Sequence, residues 1–84
     1  MKTVEIKRIV EEGLWQVAPE VEFDTVDPDG HLRDELDIDS FDFLNFLISL
    51  NETLGVDVPE SDYEKLVSLN DVVQYLEGRL QAQE

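Results

Sequence analysis

Residues 39–55, "DSFDFLNFLISLNETLG", carry the strongest structural signal in the chain, because they predict a strongly apolar helix over residues 40–54. On a helical projection, one arc of about 100° collects large apolar side chains: Phe43, Phe46, Leu47, Leu50 and Leu54. A second arc, beyond the azimuth of Ser40, holds Phe41, Leu44 and Ile48. Gly55 stands where a left-handed residue commonly ends a helix. Two apolar faces are more than one core contact needs, so the second face requires another purpose.

The segments on either side of this helix complete an all-α pattern. Apolar spacings of three and four in "VEIKRIVEEGLWQV" predict a helix over about residues 3–17, followed by a long acidic loop over residues 18–39. "SDYEKL" predicts a short helix over about residues 61–66, and a capping-box spacing of Ser68 and Asp71 begins a helix over about residues 69–81. We therefore expect residues 1–84 to form one domain, a small bundle of three long helices plus one short helix.

Composition narrows the classes of function. Six basic against 21 acidic residues leave a net charge of −15, which repels nucleic acid and anionic membranes and favours partners with basic patches. The chain has no cysteine and one histidine, which excludes thiolate and multi-histidine metal sites. Its N-terminus lacks the apolar core of a signal peptide, and no stretch approaches the roughly 20 apolar residues of a membrane span. We expect a monomer in the cytoplasm.

The acidic turn "DTVDPDG" raises the possibility of a calcium site. With Gly30 at the sixth place of an EF-hand loop, Asp27 and Asp29 occupy ligand places, but Thr25 and Leu36 stand at the first and twelfth. Two of the strongest ligands are thus missing, so an aspartate-rich turn is the better interpretation.

Serine hydrolysis is a second possibility, since His31 lies nine residues before Ser40. However, the serine stands in "DIDSFDF" and not in a Gly-x-Ser-x-Gly turn. A domain of this size would also struggle to build an oxyanion hole, so we expect no catalytic residues.

The residues around Ser40 allow two interpretations of its role in the helix. Serine leads the preferences for helix N-caps, so it could simply begin the helix. Asp39 is an equally good cap, with Asp42 three residues later. If Asp39 caps the helix, Ser40 becomes the first helical residue and its exposed hydroxyl suits an attached phosphate.

Here the chain resembles the acyl carrier proteins and, more broadly, the phosphopantetheine-attachment carrier domains of fatty acid, polyketide and nonribosomal peptide systems. The resemblance runs from about Val4 to Leu80 and is centred on "LRDELDIDSFDFLNFLISL". In it, Asp39-Ser40-Phe41 occupies the place of the family's Asp-Ser-Leu signature. It also includes the Gly55 helix end, "VDVPE" before the short helix, and the final "YLEGRL".

The resemblance implies that Ser40 carries 4′-phosphopantetheine, donated by coenzyme A through a phosphopantetheinyl transferase that uses magnesium. The thiol of that arm would hold acyl or aminoacyl groups as thioesters, loaded by a ligase and passed to synthases or acyltransferases. The resemblance also implies that the second apolar face of the helix is a docking surface for basic partner enzymes. The residues expected on that surface are Asp39, Phe41, Asp42, Leu44, Ile48 and Glu52.

Departures from the family pattern point to a specialised pathway. Phe41 replaces the usual leucine, Asp37 stands where glycine is frequent, and Asn45 and Asn51 replace glutamates frequent in fatty-acid carriers. Large side chains on the core face could also fill the space that shelters an acyl chain in some members, which favours short or polar cargo. The alternative is an unmodified acidic adaptor that binds a basic partner through the same helix.

Overall fold

The computed structural model describes the backbone of residues 2–83 and the side chains of residues 2–81. Its α-helices are α1 (Thr3–Val17), α2 (Leu32–Leu36), α3 (Ser40–Leu54) and α4 (Leu69–Gln83). Short 3-10 helices lie at Phe23–Thr25 and Glu60–Lys65. α1 packs against both α3 and α4. The described residues contain no strand, and the predicted all-α class is confirmed.

The three long helices turn their apolar faces toward a shared core, which removes those faces from water and supplies the main driving force for folding. α3 contributes Phe43, Phe46, Leu47 and Leu50, all of which are buried. Buried side chains from the flanking helices meet them: Ile6, Val10 and Leu14 from α1, and Leu69, Val72, Val73 and Leu76 from α4.

Local hydrogen bonds fix where the two C-terminal long helices begin and end. Asp39 caps α3, since its Oδ1 accepts a hydrogen bond of 2.8 Å from the backbone N–H of Asp42. Gly55 ends α3 with φ 70°, the left-handed conformation that glycine adopts most readily. Ser68 and Asp71 form a reciprocal capping box at the start of α4, with hydrogen bonds of 3.0 and 3.1 Å.

The segment predicted as a loop, residues 18–39, is partly helical. α2 lies within it, anchored by the buried Leu32 and Leu36, and the N–H of Leu32 donates to the carbonyl of Val67 over 2.7 Å. A helix of five residues is too short to show a clear period or to form alone, so tertiary contacts create it. The same applies to the 3-10 turn Phe23–Thr25.

Two further boundaries differ from the sequence prediction. The short helix expected over about residues 61–66 is a 3-10 helix at Glu60–Lys65, and α4 continues to Gln83 instead of ending near residue 81. Both are shifts of one or two residues at element ends, where propensity discriminates least.

Asp37 links α2 to the cap of α3 through an unusual backbone conformation. Its φ of 54° and ψ of 46° place it in the left-handed region, and its N–H bonds back into α2. Aspartate tolerates this region better than most residues with a side chain, but glycine adopts it without strain. The aspartate found where the family often has glycine therefore ends α2 in a conformation that glycine would adopt without strain.

The first part of the long loop is held against α1 by Trp15. The indole Nε1–H donates to the carbonyl of Val21 over 3.0 Å, and the ring meets Phe23 edge to face with centroids 5.2 Å apart. These contacts hold the start of the loop beside the helix bundle.

Two glycines in helices offer a matched test of the packing between α1 and α3. A Cβ on Gly13 would lie 3.1 Å from the Phe46 ring and 3.2 Å from Ser49 Oγ, whereas a Cβ on Gly78 meets nothing within 4 Å. We expect Gly78→Ala to stabilise the fold by about 0.5–1 kcal/mol through helix propensity. We expect Gly13→Ala to destabilise it by about 1 kcal/mol, because overpacking against a fully buried ring outweighs that gain. Urea denaturation of both variants measures the difference, and equal stabilisation by both would contradict a tight helix contact.

Candidate functional site

Ser40 is the first residue of α3, and its side chain is free of the capping role. Asp39 supplies the cap, and Ser40 is exposed. The serine hydroxyl therefore lies at the positive end of the α3 dipole, open to solvent. Of the two readings left open by the sequence, the structure supports the one in which Ser40 presents its hydroxyl.

Arg33 is the hydrogen-bond partner of that hydroxyl. Its guanidinium Nη2 donates to Ser40 Oγ over 2.8 Å. α2 fixes the arginine, since the neighbouring Leu32 is buried and the N–H of Ile38 donates to the Arg33 carbonyl over 3.0 Å. Sequence reasoning did not place Arg33 in the site. The available signal was its charge, because it is the one basic residue in the acidic stretch from Glu20 to Asp42.

A cavity of about 220 Å³ opens beside Ser40, between α2, α3 and the 3-10 helix Glu60–Lys65. Its volume falls below the roughly 300 Å³ at which pockets for drug-sized ligands begin. Apolar, polar and charged side chains line it together: His31, Arg33, Ser40, Phe43, Leu44, Tyr63, Glu64, Leu66 and Val67.

The outer face of α3 exposes the apolar side chains of the second sequence arc. Phe41 is 70% exposed, Ile48 48% and Leu44 40%. Among the other residues expected on this surface, Asp39 and Glu52 are exposed and Asp42 is half-buried. The structure thus brings a patch of exposed apolar groups onto the same helix as Ser40.

His31 and the acidic turn have other contacts. His31 Nδ1 lies 3.7 Å from Asp34 Oδ2, and both side chains are largely exposed. In the turn, Asp27 Oδ1 accepts from the Asp29 N–H over 3.0 Å, and Asp29 Oδ1 accepts from Asn70 over 2.7 Å. Across the described part of the chain, no three carboxylate or histidine side chains gather as metal ligands would, and no helix is both long and apolar enough to cross a membrane.

The 3-10 helix Glu60–Lys65, which forms one wall of the cavity, is joined to α4 by a hydrogen bond between Asp62 and Tyr75. The Tyr75 hydroxyl donates to the Asp62 carboxylate over 2.6 Å, and Lys65 Nζ lies 3.2 Å from it. The hydrogen bond from Tyr75, assisted by Lys65, lowers the pKa of Asp62 below its ordinary value of 3.8. Because the folded-state pKa is depressed, ionised Asp62 stabilises the fold above about pH 3.8, and this contribution is lost as the pH falls through the folded-state pKa.

This contact predicts a pH-dependent variant. We expect Tyr75→Phe to lower the melting temperature at pH 7, and we expect the deficit to shrink at pH 3, because that pH lies below the ordinary pKa of Asp62, where the contribution of its ionised form to stability is being lost. Thermal melts at the two pH values measure the effect. Tyr63→Phe, a tyrosine on the same wall, is the control and should show no such trend; an equal deficit for Tyr75→Phe at both pH values would contradict the assignment.

Comparison with known proteins identifies the class to which this geometry belongs. A family model described as "Phosphopantetheine attachment site" matches residues 12–76. An acyl carrier protein from Campylobacter hominis is 38% identical over 74 residues, covering 88% of this chain and 87% of that protein. One from Campylobacter fetus is 38% identical over 88% of this chain and 90% of its own, and one from Lactobacillus johnsonii is 32% identical over 69% and 72%.

The chain therefore belongs to the acyl carrier protein family of phosphopantetheine-attachment domains, as the resemblance predicted. Members of this family are carriers and not enzymes, and they hold a covalent 4′-phosphopantetheine. They interact with phosphopantetheinyl transferases and acyl-handling enzymes. The residues present fit such a group, since they offer an exposed hydroxyl without a capping duty, a guanidinium against it and a cavity alongside.

Proposed function

We propose that Ser40 is the attachment residue and that the chain carries acyl or aminoacyl intermediates for a specialised lipid, polyketide or peptide pathway. The observation that carries this proposal is the separation of roles at the start of α3: Asp39 caps the helix, which leaves the Ser40 hydroxyl exposed and available. When attached, 4′-phosphopantetheine supplies the thiol on which the cargo is held as a thioester.

The outer face of α3 supports a role in docking partner enzymes. This face exposes three apolar side chains, those of Phe41, Leu44 and Ile48. The same helix also carries the carboxylates of Asp42 and Glu52, and Asp39 precedes its first residue. Long-range attraction from a chain of charge −15 would guide a basic partner toward this face, and apolar contact would then hold it. The aromatic Phe41 at the attachment point supports partners other than those of a housekeeping fatty acid synthase.

The packing around Ser40 favours short or polar cargo. Phe46 is fully buried at the centre of the bundle, and the cavity beside Ser40 measures about 220 Å³. A long acyl chain would have to displace core side chains to gain shelter there. Long-chain cargo that raises the melting temperature of the loaded protein and resists hydrolysis would contradict this assignment.

The test of attachment is enzymatic modification. The protein is incubated with coenzyme A, magnesium and a broad-specificity phosphopantetheinyl transferase, and its intact mass is measured. We expect the addition of one phosphopantetheinyl unit, and we expect tryptic mapping to place it within residues 34–65 and fragmentation to place it on Ser40. Failure of several transferases to modify the folded protein would instead favour an unmodified acidic adaptor that uses the same face of α3.

A further inference from the structure

The Arg33 side chain has N–H groups that donate no hydrogen bond to any residue that the structure describes. A guanidinium carries five N–H donors, and the described residues give Arg33 one acceptor, Ser40 Oγ at 2.8 Å. Its Nε is buried without a hydrogen-bond partner among the residues that the structure describes. Within the same residues, no carboxylate lies close enough to Arg33 to form an ion pair.

The absence of an ion pair is informative because of the surrounding charge. The stretch from Glu20 to Asp42 holds ten carboxylates and Arg33 as its one basic residue: Glu20, Glu22, Asp24, Asp27, Asp29, Asp34, Glu35, Asp37, Asp39 and Asp42. An arginine in such a field would readily find a carboxylate on an ordinary surface. Here the backbone of α2 instead directs the guanidinium to a neutral hydroxyl.

We propose that Arg33 is a ligand built into the chain for the phosphodiester of the attached arm. This inference rests on the proposed attachment at Ser40. In a modified serine the phosphorus is bonded to Oγ, so its charged non-bridging oxygens lie two bonds from an atom that Arg33 already contacts at 2.8 Å. Guanidinium groups pair with phosphate oxygens through two parallel N–H donors, a geometry that lysine does not reproduce.

The pairing has two physical consequences for the modified chain. First, Arg33 offsets the negative charge that modification adds to a chain already at −15. Second, it holds the root of the arm against α2, beside the cavity that Arg33 and Ser40 both line. Modification would thus exchange a hydrogen bond from a cation to a neutral hydroxyl for an ion pair with the phosphate oxygens, in which both partners are charged.

The test compares unmodified and modified forms of three variants with those of the wild type. Arg33→Gln removes both the positive charge and the paired N–H donors of the guanidinium. Arg33→Lys keeps the charge but lacks those paired donors. Arg8→Gln makes the same charge change as Arg33→Gln, but on the exposed surface of α1. Each protein is modified enzymatically, checked by mass, and measured for melting temperature and for the ³¹P resonance of the phosphodiester at low and high salt. Taking the difference between the two forms of each variant cancels any cost of the substitution to the fold itself.

We expect modification to lower the melting temperature of Arg33→Gln by about 2–5 °C more than that of the wild type or Arg8→Gln. Arg33→Lys should fall between them. We expect the ³¹P resonance of the wild type to move with salt as the pair is screened, and that of Arg33→Gln to be insensitive.

Two negative results have separate meanings. Successful modification on Ser40 with the same differences in all four proteins would overturn the role of Arg33 while leaving the proposed function intact. Absence of modification on Ser40 in the wild type would overturn both.

Discussion

Replacing Ser40 with alanine is expected to abolish transferase-dependent addition of phosphopantetheine while leaving the fold almost as stable as the wild type. The modification is lost because the nucleophilic oxygen is removed. The fold persists because Asp39, not Ser40, satisfies the N–H of Asp42 at the start of α3. We expect the free energy of unfolding to change by less than about 1 kcal/mol, since only an exposed hydrogen bond from Arg33 is lost. Intact mass after the transferase reaction and urea denaturation measure the two properties.

The neighbouring residue provides the reciprocal variant. Asp39→Ala removes the cap and should cost about 0.5–2 kcal/mol of stability while the attachment oxygen remains. Ser61→Ala, an exposed serine on the 3-10 helix Glu60–Lys65, is the matched control and should alter neither property. Residual modification of Ser40→Ala would show that another serine accepts the group and would overturn the assignment.

Alanine substitutions of two phenylalanines on α3 are expected to have separate effects, one on the stability of the fold and the other on the docking of partner enzymes. Phe46 is fully buried and Phe41 is 70% exposed, although they lie on the same helix. We expect Phe46→Ala to cost about 3–5 kcal/mol, because it leaves a cavity in the core beside Gly13 of α1. A domain of this size has a total stability on the order of 4–13 kcal/mol, so this variant should be close to unfolding at physiological temperature.

Phe41→Ala serves as the comparison, with the same chemical change outside the core. Its free energy of unfolding should lie within about 0.5 kcal/mol of the wild type. If the outer face of α3 docks partners, the kcat/KM of the transferase for this variant should fall about tenfold, the loss expected for a contact worth about 1.4 kcal/mol. Urea denaturation and transferase kinetics test the pair, and a Phe41→Ala variant as unstable as Phe46→Ala would show that the face is packed rather than exposed.

The sequence was most informative where one strong signal covered a long segment. The two apolar arcs of α3 correspond to its buried and exposed sides, with Phe46 at one extreme of burial and Phe41 at the other. The capping box of Ser68 and Asp71 also followed from spacing alone, whereas spacing left Asp39 and Ser40 as alternative caps for α3. These features depend on interactions within a few residues, which the order of the amino acids encodes directly.

The parts that sequence reasoning did not reach depend on contacts between distant segments. α2 exists because Leu32 and Leu36 enter a core made by other helices, and because Val67 supplies a carbonyl for its first turn. Without α2, nothing indicated that Arg33 would meet Ser40, seven residues further along the chain. The cavity beside Ser40 was inaccessible for the same reason, since its walls come from three separate elements.

The contact of Trp15 with Val21 and Phe23 makes the chain's single tryptophan an optical reporter of the long loop. Its emission responds to the seating of that loop on α1, whereas far-ultraviolet circular dichroism responds to all of the helices together. If the loop detaches before the bundle melts, fluorescence will change at lower denaturant than ellipticity. Coincident transitions would instead show that the loop and the bundle unfold as one cooperative unit.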